Sequence, residues 1–456
     1  NISRKSCSAP EKEGSDMQVA QAKPVKSRYL NVPGKYRIVR SSACTRCASC
    51  ARICQVHSQS PPDYSLCAGL KCKKCIANCP QKSLTLEINP VLNVLGDHRW
   101  PGELILATWE QAETGKPAEK FNQDTGRSGG GFDAIKLRIP DCKRTDEKEI
   151  STAIQLNKRK TGEKIEIPIP IYGSGMSFGS VSLQTMLSRA KAAKAWHTFV
   201  STGEGGYPDE LIHYKDHVIT QIATGLFGVR EETIQRSRII EFKYAQGAKP
   251  GLGGHLLADK VTPQVARMRE AVPKRSLFSP FPFHSVYSVE DHKKHIDWIK
   301  AINPEALIAV KVSTPADVDM VAVGSYHAGA NIINLDGGYG GTGAAPDIAK
   351  KNIAMPIEFA IPKVHRFLMQ EGVRDKITLM ASGGIRTAQD IAKAIALGAD
   401  GVVTGTAELV ALGCVRCANC ESGRGCPLGI ATTDPELAKQ LDPEWGAQRI
   451  INLFAS

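Results

Sequence analysis

From about residue 165 onward, short apolar runs bounded by Gly or Pro alternate with longer stretches of helical period. The runs are Ile167–Tyr172, Thr198–Ser201, Val218–Ala223, Leu307–Val312, Ile332–Leu335, Ile377–Met380 and Val402–Thr404. Amphipathic stretches between them include Val289–Ile302 and Ala388–Leu397. Apolar strands alternating with helices predict a parallel sheet wrapped by helices, since a strand covered on both faces needs no polar alternation. About 250 residues of this texture is the length of one (β/α)8 TIM barrel, an α/β fold. An open doubly wound sheet is the rival, and it needs a G-x-G-x-x-G turn after its first strand. Gly173–Ser174–Gly175–Met176–Ser177–Phe178–Gly179 begins that way and then departs from it. The barrel is the expectation.

The rest of the chain divides by texture. Residues 1–37 are polar and basic, a tail or a strap. Residues 38–90 carry a dense cysteine block. Residues 91–164, with the breaker run Gly126–Arg127–Ser128–Gly129–Gly130–Gly131, read as an irregular connector. The barrel is expected over 165–413, and 414–456 form a second cysteine segment with a C-terminal tail.

Composition bounds the class. The 456 residues are 42% hydrophobic and 23% charged, globular values that exclude a disordered or fibrous protein. Neither an apolar run of ~18 residues nor a charged-then-apolar leader is present, so neither a membrane span nor secretion is expected, and the expected location is cytoplasmic. The net charge of +12 fits a solvated basic surface, with Arg4, Lys5, Lys23, Lys26, Arg28, Lys35 and Arg37 contributing, or docking of an acidic protein partner. Nucleic acid is the weakest reading, for want of a recognition motif.

The 14 cysteines change the picture. Eight fall between Cys44 and Cys79 and four between Cys414 and Cys426, leaving Cys7 and Cys142 apart. A disulfide framework belongs to small secreted chains, whereas clustered thiols at two- and three-residue spacing read as metal ligands in a reducing compartment. Cys44-x2-Cys47-x2-Cys50-x3-Cys54 and Cys67-x4-Cys72-x2-Cys75-x3-Cys79-Pro80 follow the pattern of two-cluster ferredoxins, in which each run lends its fourth cysteine to the other cluster. Cys44, Cys47, Cys50 and Cys79 then hold one 4Fe–4S cluster, and Cys54, Cys67, Cys72 and Cys75 a second. Two departures, Gln55 after Cys54 and the four-residue gap after Cys67, read as loop adjustments. A single cluster or structural zinc is the plainer alternative. Cys414-x2-Cys417-x2-Cys420-x5-Cys426-Pro427 brings four more thiolates to one site, for a third cluster or for zinc.

Glycine clusters end several predicted strands: Gly173–Gly179, Gly337–Gly343, Gly383–Gly384 and Gly405–Thr406. Barrel active sites lie at strand C-termini, where backbone N–H groups without side chains can approach a phosphate. Glycine is also the ordinary turn residue, so the repetition carries the argument. Lys311 sits inside an apolar strand and needs a partner, either a flavin's anionic edge or a carboxylate in the core.

These residues give the chain a specific resemblance. Gly175-Met-Ser-Phe-Gly-Ser180, Ser201-Thr-Gly-Glu-Gly-Gly206, Ala245-Gln-Gly-Ala-Lys-Pro-Gly251, Val286-Tyr-Ser-Val-Glu-Asp291, Gly340-Gly-Thr-Gly-Ala-Ala-Pro346, Gly401–Ala407 and Cys426-Pro-Leu-Gly-Ile-Ala-Thr432 resemble the synthase domain of glutamate synthase large subunits, here behind an N-terminal ferredoxin module. The resemblance covers about 165–435 and the cysteine block. It implies an FMN-binding barrel in which Met176 and Ser177 line the flavin, Gln221 reaches flavin or substrate, and Lys311 sits near the ring. The loops Gly340, Gly341, Thr342 and Gly343, Gly383–Gly384, and Gly405–Thr406 would hold phosphate. The family's cluster beside the flavin is 3Fe–4S on three cysteines, matching Cys414, Cys420 and Cys426. Cys417 is additional and leaves 3Fe–4S and 4Fe–4S both open. The implied reaction condenses 2-oxoglutarate with ammonia to 2-iminoglutarate, which reduced FMN converts to glutamate. Electrons would come from a redox protein, a ferredoxin or an NAD(P)H-oxidising subunit.

Departures fall where the resemblance puts substrate. Thr220-Gln-Ile-Ala-Thr-Gly-Leu-Phe-Gly228 has Thr220 and Leu226 where the family has cations, Pro250-Gly-Leu-Gly-Gly254 has Leu252 for a carboxylate, and Pro280-Phe-Pro-Phe-His284 adds two aromatics. Two lost cations, each worth ~1.5–3 kcal/mol in a charge-assisted contact, would weaken dicarboxylate binding unless Lys243, Lys249 or Arg230 compensates. Phe281 and Phe283 would make the pocket more apolar. The candidate catalytic residues are Gln221, Lys249 and His284; of His197, His213, His255 and His284, only His284 has a family-matched context. The chain begins at Asn1, not at the cysteine of the family's glutaminase, so ammonia is expected free or from a separate subunit. The leading expectation is an iron–sulfur flavoprotein of glutamate synthase type acting on an imino or oxo acid. The alternatives are an N-methylglutamate synthase-like subunit and an electron-relay subunit of a larger redox complex.

Overall fold

Eight short parallel strands, each with side chains alternating between two apolar environments, close on themselves. In the computed structural model, which describes residues 20–29, 32–121, 131–138, 150–341, 345–420 and 425–456, they are β1 (Ile171–Gly173), β2 (Val200–Ser201), β3 (Val218–Ala223), β4 (Ile239–Lys243), β5 (Leu307–Ser313), β6 (Ile332–Asp336), β7 (Thr378–Ser382) and β8 (Gly401–Thr404). Every neighbour pair is parallel, and β8 pairs with β1 to shut the barrel. One side-chain set (Tyr172, Ile219, Ile239, Leu307, Ile332, Met380, Val403) fills the interior. The alternate set (Ile222, Phe242, Ile308, Val310, Ile333, Leu379) packs outward against the helices. This two-sided burial is why the strands read as continuous apolar runs.

The expected run at Ile167–Tyr172 divides in two. Glu166–Ile167 pairs with Ile154–Gln155 in a small hairpin, and only Ile171–Gly173 enters the barrel. Leu156, Ile165 and Ile167 of that hairpin join the interior cluster and plug the N-terminal mouth. Strand β4 escapes the apolar-run reading because Glu241 and Lys243 interrupt it, although all five of its residues are buried.

The principal helices are α1 (Gly102–Thr114), α2 (Leu183–Ala195), α3 (Val289–Ile302), α4 (Val318–Ala328), α5 (Ile357–Gln370), α6 (Ala388–Ala396), α7 (Thr406–Ala411) and α8 (Pro443–Ala455). Helix α3 spans the stretch read from its periodicity. Its N-cap Ser288 accepts a hydrogen bond from the Asp291 N–H, and Glu290 and Asp291 lie in the first turn. Helix α1 corrects the reading of 91–164 as irregular. Leu104, Ile105, Leu106, Ala107 and Trp109 are buried on several sides, so the one-sided helical stripe is missing from the sequence.

Outside the barrel, Tyr36–Arg40 and Leu84–Ile88 form an antiparallel pair that brackets the first cysteine block. Part of the N-terminal stretch is a strap. Arg28 donates to the carbonyls of Leu412 and Leu428, and Tyr29 stacks on Trp109 with ring centroids 4.4 Å apart.

Candidate active site and cysteine centres

A cavity opens at the C-terminal end of the barrel, with about 1560 Å³ of space that is partly open to solvent. Each of the eight strands or the loop after it reaches the cavity. Gly175 and Met176 follow β1, Glu204 follows β2, Gln221 lies in β3 and Lys243 ends β4. Lys311 lies in β5, Asp336 ends β6, Ser382 ends β7 and Gly405 follows β8. Period-two alternation puts these polar groups on the inner side of otherwise apolar strands. From the 91–164 segment Arg99, Trp100 and Gly131 also line the cavity, with the Arg99 guanidinium 3.2 Å from the Tyr339 ring centroid. That segment, expected to be a connector, contributes to the site.

The charged groups are linked to one another. Lys311 lies 3.5 Å from Asp336, whose other oxygen accepts from the Ser382 hydroxyl at 2.7 Å and whose Oδ2 also accepts from the Gly247 N–H at 2.9 Å. Burial pushes the Lys311 amine down, but Asp336 and Glu241 outweigh it and hold the pKa above the usual lysine value, so Lys311 stays a cation. Lys311 thus meets the carboxylate expectation and still faces the cavity. Gln221 donates to Glu241 at 2.6 Å, and Asn334 donates to the same carboxylate at 3.4 Å. Lys243 donates to Glu204 at 3.0 Å. Burial raises the Glu204 pKa, but Lys243, with Arg269 and Lys249, outweighs this and holds the carboxyl below its usual range. Arg269 itself donates to the Ser177 hydroxyl at 3.0 Å.

Glycines make room on the opposite rim. A Cβ on Gly405 would meet the Ser174 hydroxyl at 2.6 Å, and one on Gly341 the Thr406 hydroxyl at 2.5 Å. Gly383 and Gly384 adopt φ of +86° and +115°, and a Cβ on Gly384 would meet the Tyr339 Cβ at 3.1 Å and its ring at 3.3 Å. A cradle of backbone N–H groups with no Cβ atoms suits phosphate oxygens, and the polar floor beside it suits a planar ring with hydrogen-bonding edges. The donor set fits a phosphate-bearing flavin.

Of the residues singled out from sequence, Met176, Ser177, Gln221, Lys249, Lys311, Gly340, Gly341, Gly383, Gly384, Gly405 and Thr406 all line this cavity. Thr342 and Gly343 lie outside the described residues. His284 is exposed and is not among the lining residues, whereas His255 is. Sequence reasoning passed over Glu204, Asp336, Lys260 and Arg99. Glu204 in the Gly203–Gly206 run and Asp336 at the end of an apolar strand were the available signals.

The departures expected to reshape the pocket lie elsewhere. Thr220 faces the helix layer and donates to the Thr233 carbonyl at 3.2 Å, because its strand neighbour Gln221 takes the inner side. Leu226, Leu252 and Phe281 are exposed. Phe283 is 2% exposed and packs on Phe242 and Tyr244, ring centroids 6.5 and 5.0 Å away. None of the five lines the cavity, and Lys243, Lys249, Lys260 and Lys311 converge there. The expectation of a less basic, more apolar pocket is corrected.

None of the twelve described cysteines is in a disulfide; Cys7 and Cys142 lie outside the described residues. Cys44, Cys47, Cys50 and Cys79 line one hollow of the N-terminal module, the first ligand set expected from the spacing. In the second set, Cys54 acts electrostatically on both Cys67 and Cys75, and Cys72 acts on Cys67. Crowding thiolates is unfavourable unless a metal centre supplies positive charge: burial, with Cys54 and Cys67 adding to it, pushes the Cys75 thiol up to about 11. The donor sets fit iron–sulfur clusters. At the barrel, burial likewise pushes Cys414 up to about 11, with Cys420 and Cys426 adding to it. Cys420 lines the large cavity itself, whereas Cys417 is exposed. A third centre held there would adjoin the cavity.

Comparison with known proteins agrees with this arrangement. Residues 132–456 match the family model described as a conserved region in glutamate synthase. The chain is 36% identical to the archaeal-type glutamate synthase (NADPH) of Thermotoga maritima over 455 residues, covering 93% of this chain and 89% of that protein. It is 36% identical to the archaeal glutamate synthase (NADPH) of Archaeoglobus fulgidus, covering 91% and 87%. It is 37% identical to the glutamate synthase (NADPH) large chain of Azospirillum brasilense, but covers 61% of this chain and 19% of that one. A closed barrel with a basic, glycine-rimmed cavity and a cysteine set at its edge, matched along nearly its whole length, places this chain in the glutamate synthase family.

Proposed function

We propose that the chain is an FMN- and iron–sulfur-dependent oxidoreductase that makes glutamate from 2-oxoglutarate and ammonia by reducing 2-iminoglutarate. The observation that carries this reading is the convergence of Lys243, Lys249, Lys260 and Lys311 on one cavity that Cys420 also lines. A dicarboxylic acid needs cations, and an electron route needs a redox centre at the cavity wall. Bound FMN would exchange single electrons with the clusters and transfer two as hydride.

The chain's own groups then have distinct tasks. Gly340–Gly341, Gly383–Gly384 and Gly405–Thr406 would cradle the phosphate, with Met176 and Ser177 against the ring. Lys311, kept cationic by Asp336, would face the anionic ring edge. Lys243 and Lys249 would hold the substrate carboxylates, with Glu204 fixing the Lys243 ammonium. Gln221, oriented by Glu241, would donate to ring or substrate. Eight cysteines would hold two 4Fe–4S clusters in 38–90, and Cys414, Cys420 and Cys426, with or without Cys417, a third centre. The electron donor would be a redox protein, and ammonia would come free or from a separate subunit. His284 has no task in this reading.

The purified chain, loaded with FMN and clusters and supplied with reduced viologen, ammonia and 2-oxoglutarate, is expected to form glutamate. Flavin reduction without any amino acid product would overturn the reading in favour of an electron-relay subunit.

A further inference from the structure

His57 is 6% exposed, and neither ring nitrogen has a hydrogen-bond partner among the described residues. Leaving a polar group buried and unpaired costs ~1–3 kcal/mol. The turn after Cys54 fixes its place: the His57 backbone N–H donates to the Cys54 carbonyl at 3.1 Å, and the ring stands edge-on to Tyr64, centroids 6.3 Å apart at 90°. A ring nitrogen and the sulfurs of Cys54 and Cys75 all lie within 4.8 Å of one another. The imidazole is therefore aimed into the second cysteine set, where sulfur is the available acceptor.

We propose that His57 is a positioning residue that donates its ring N–H to a sulfur of the cluster held by Cys54, Cys67, Cys72 and Cys75, raising that cluster's reduction potential. It rests on the cluster assignment made above. Four cysteines complete the ligand set of a 4Fe–4S cluster, so the imidazole is left to the outer shell. Reduction adds negative charge spread over the sulfurs, and a buried N–H dipole stabilises the reduced form more than the oxidised form. The burial of the His57 ring keeps water from competing for its N–H.

The test is a redox titration of the loaded full chain, followed by electron paramagnetic resonance. His57→Phe keeps the ring and removes the donor. It is expected to lower the reduced-to-oxidised ratio of one cluster about tenfold at fixed potential, 59 mV for one electron, with the other centres unmoved. His57→Gln, which restores an N–H, is expected to recover most of that shift. Labelling the unsubstituted protein with 15N-histidine needs no variant, and is expected to give a weak nitrogen coupling to the reduced cluster. Unmoved midpoints in His57→Phe, or no coupling, would overturn the hydrogen bond. A strong coupling of the size of direct ligation would overturn it too, making His57 a ligand. Iron and sulfide content separates the two levels: an unsubstituted chain with a single N-terminal cluster removes the assignment itself, while two clusters with unmoved midpoints remove this inference alone.

Discussion

Glu204 shows how one residue can be costly alone and stabilising in place. Its carboxylate packs so closely on Gly254 that a Cβ there would sit 1.7 Å from Oε1, and Lys243 faces it at 3.0 Å. Because its folded pKa is lowered, its contribution is complete above the unfolded value near 4.5 and is lost as pH falls through the folded value. Glu204→Gln is expected to lose ~3 kcal/mol at pH 7, since it leaves Lys243 buried without its anion. The gap in melting temperature to the unsubstituted protein should close below pH 4.5, which thermal melts across pH will show. His292 obeys the same sign through a different cause. Burial among Phe242 and Tyr244 pushes its pKa down to about 4. Its neutral form is native, so stability is complete above about 6.5 and falls by up to ~3 kcal/mol as pH drops towards 4. His292→Phe should flatten that part of the stability–pH curve.

At the scale of elements, helix α8 ties α1, which follows the cavity-lining Arg99 and Trp100, to α2 of the barrel. Helix α8 packs on α1 and α2, and its buried Arg449 binds the Ala411 carbonyl and, at 3.1 Å, Glu113 of α1. Gly446 permits the approach to α2: an added Cβ would lie 2.3 Å from the Ser188 hydroxyl and 3.0 Å from Leu412. Gly446→Val is expected to cost ~1–3 kcal/mol through overpacking, read as a lower melting temperature. Since Leu412 precedes Cys414, the variant should also hold less iron at the proposed third centre, read by iron analysis. On the glycine rim, Gly384→Ala adds a side chain at φ +115° against Tyr339. It should weaken FMN binding at least tenfold by flavin fluorescence while leaving the iron content unchanged.

At the scale of the whole molecule, two regions hold together by different means. The barrel has a large apolar core, whereas the cysteine module has a small buried cluster of Ile38, Cys75 and Leu84, with Val56 also buried. So small a core needs a staple, which the proposed clusters would provide. Chelation of iron under reducing conditions is therefore expected to open 38–90 to proteolysis while 165–413 stays protected. Equal protection of both parts would contradict this account. Among the described residues, no helix is long and apolar enough to cross a membrane.

The sequence by itself determined what local spacing encodes. Strands β3 and β5, helix α3, the glycine rim and the cysteine sets were legible because period-two burial, helical amphipathicity and thiol spacing repeat over a few residues. Other features belonged to the tertiary structure. Strand β4 was hidden by its inward Glu241 and Lys243, and α1 by burial on several sides. Thr220 and Gln221, adjacent in the chain, face opposite sides of one strand, so a substitution expected in the pocket lies behind it. Which charges meet depends on the closure of the barrel, which brings Glu204 to Lys243 and Lys311 to Asp336 across long stretches of chain. Chain distance cannot encode that, because electrostatic pairing depends on separations of a few ångströms in space.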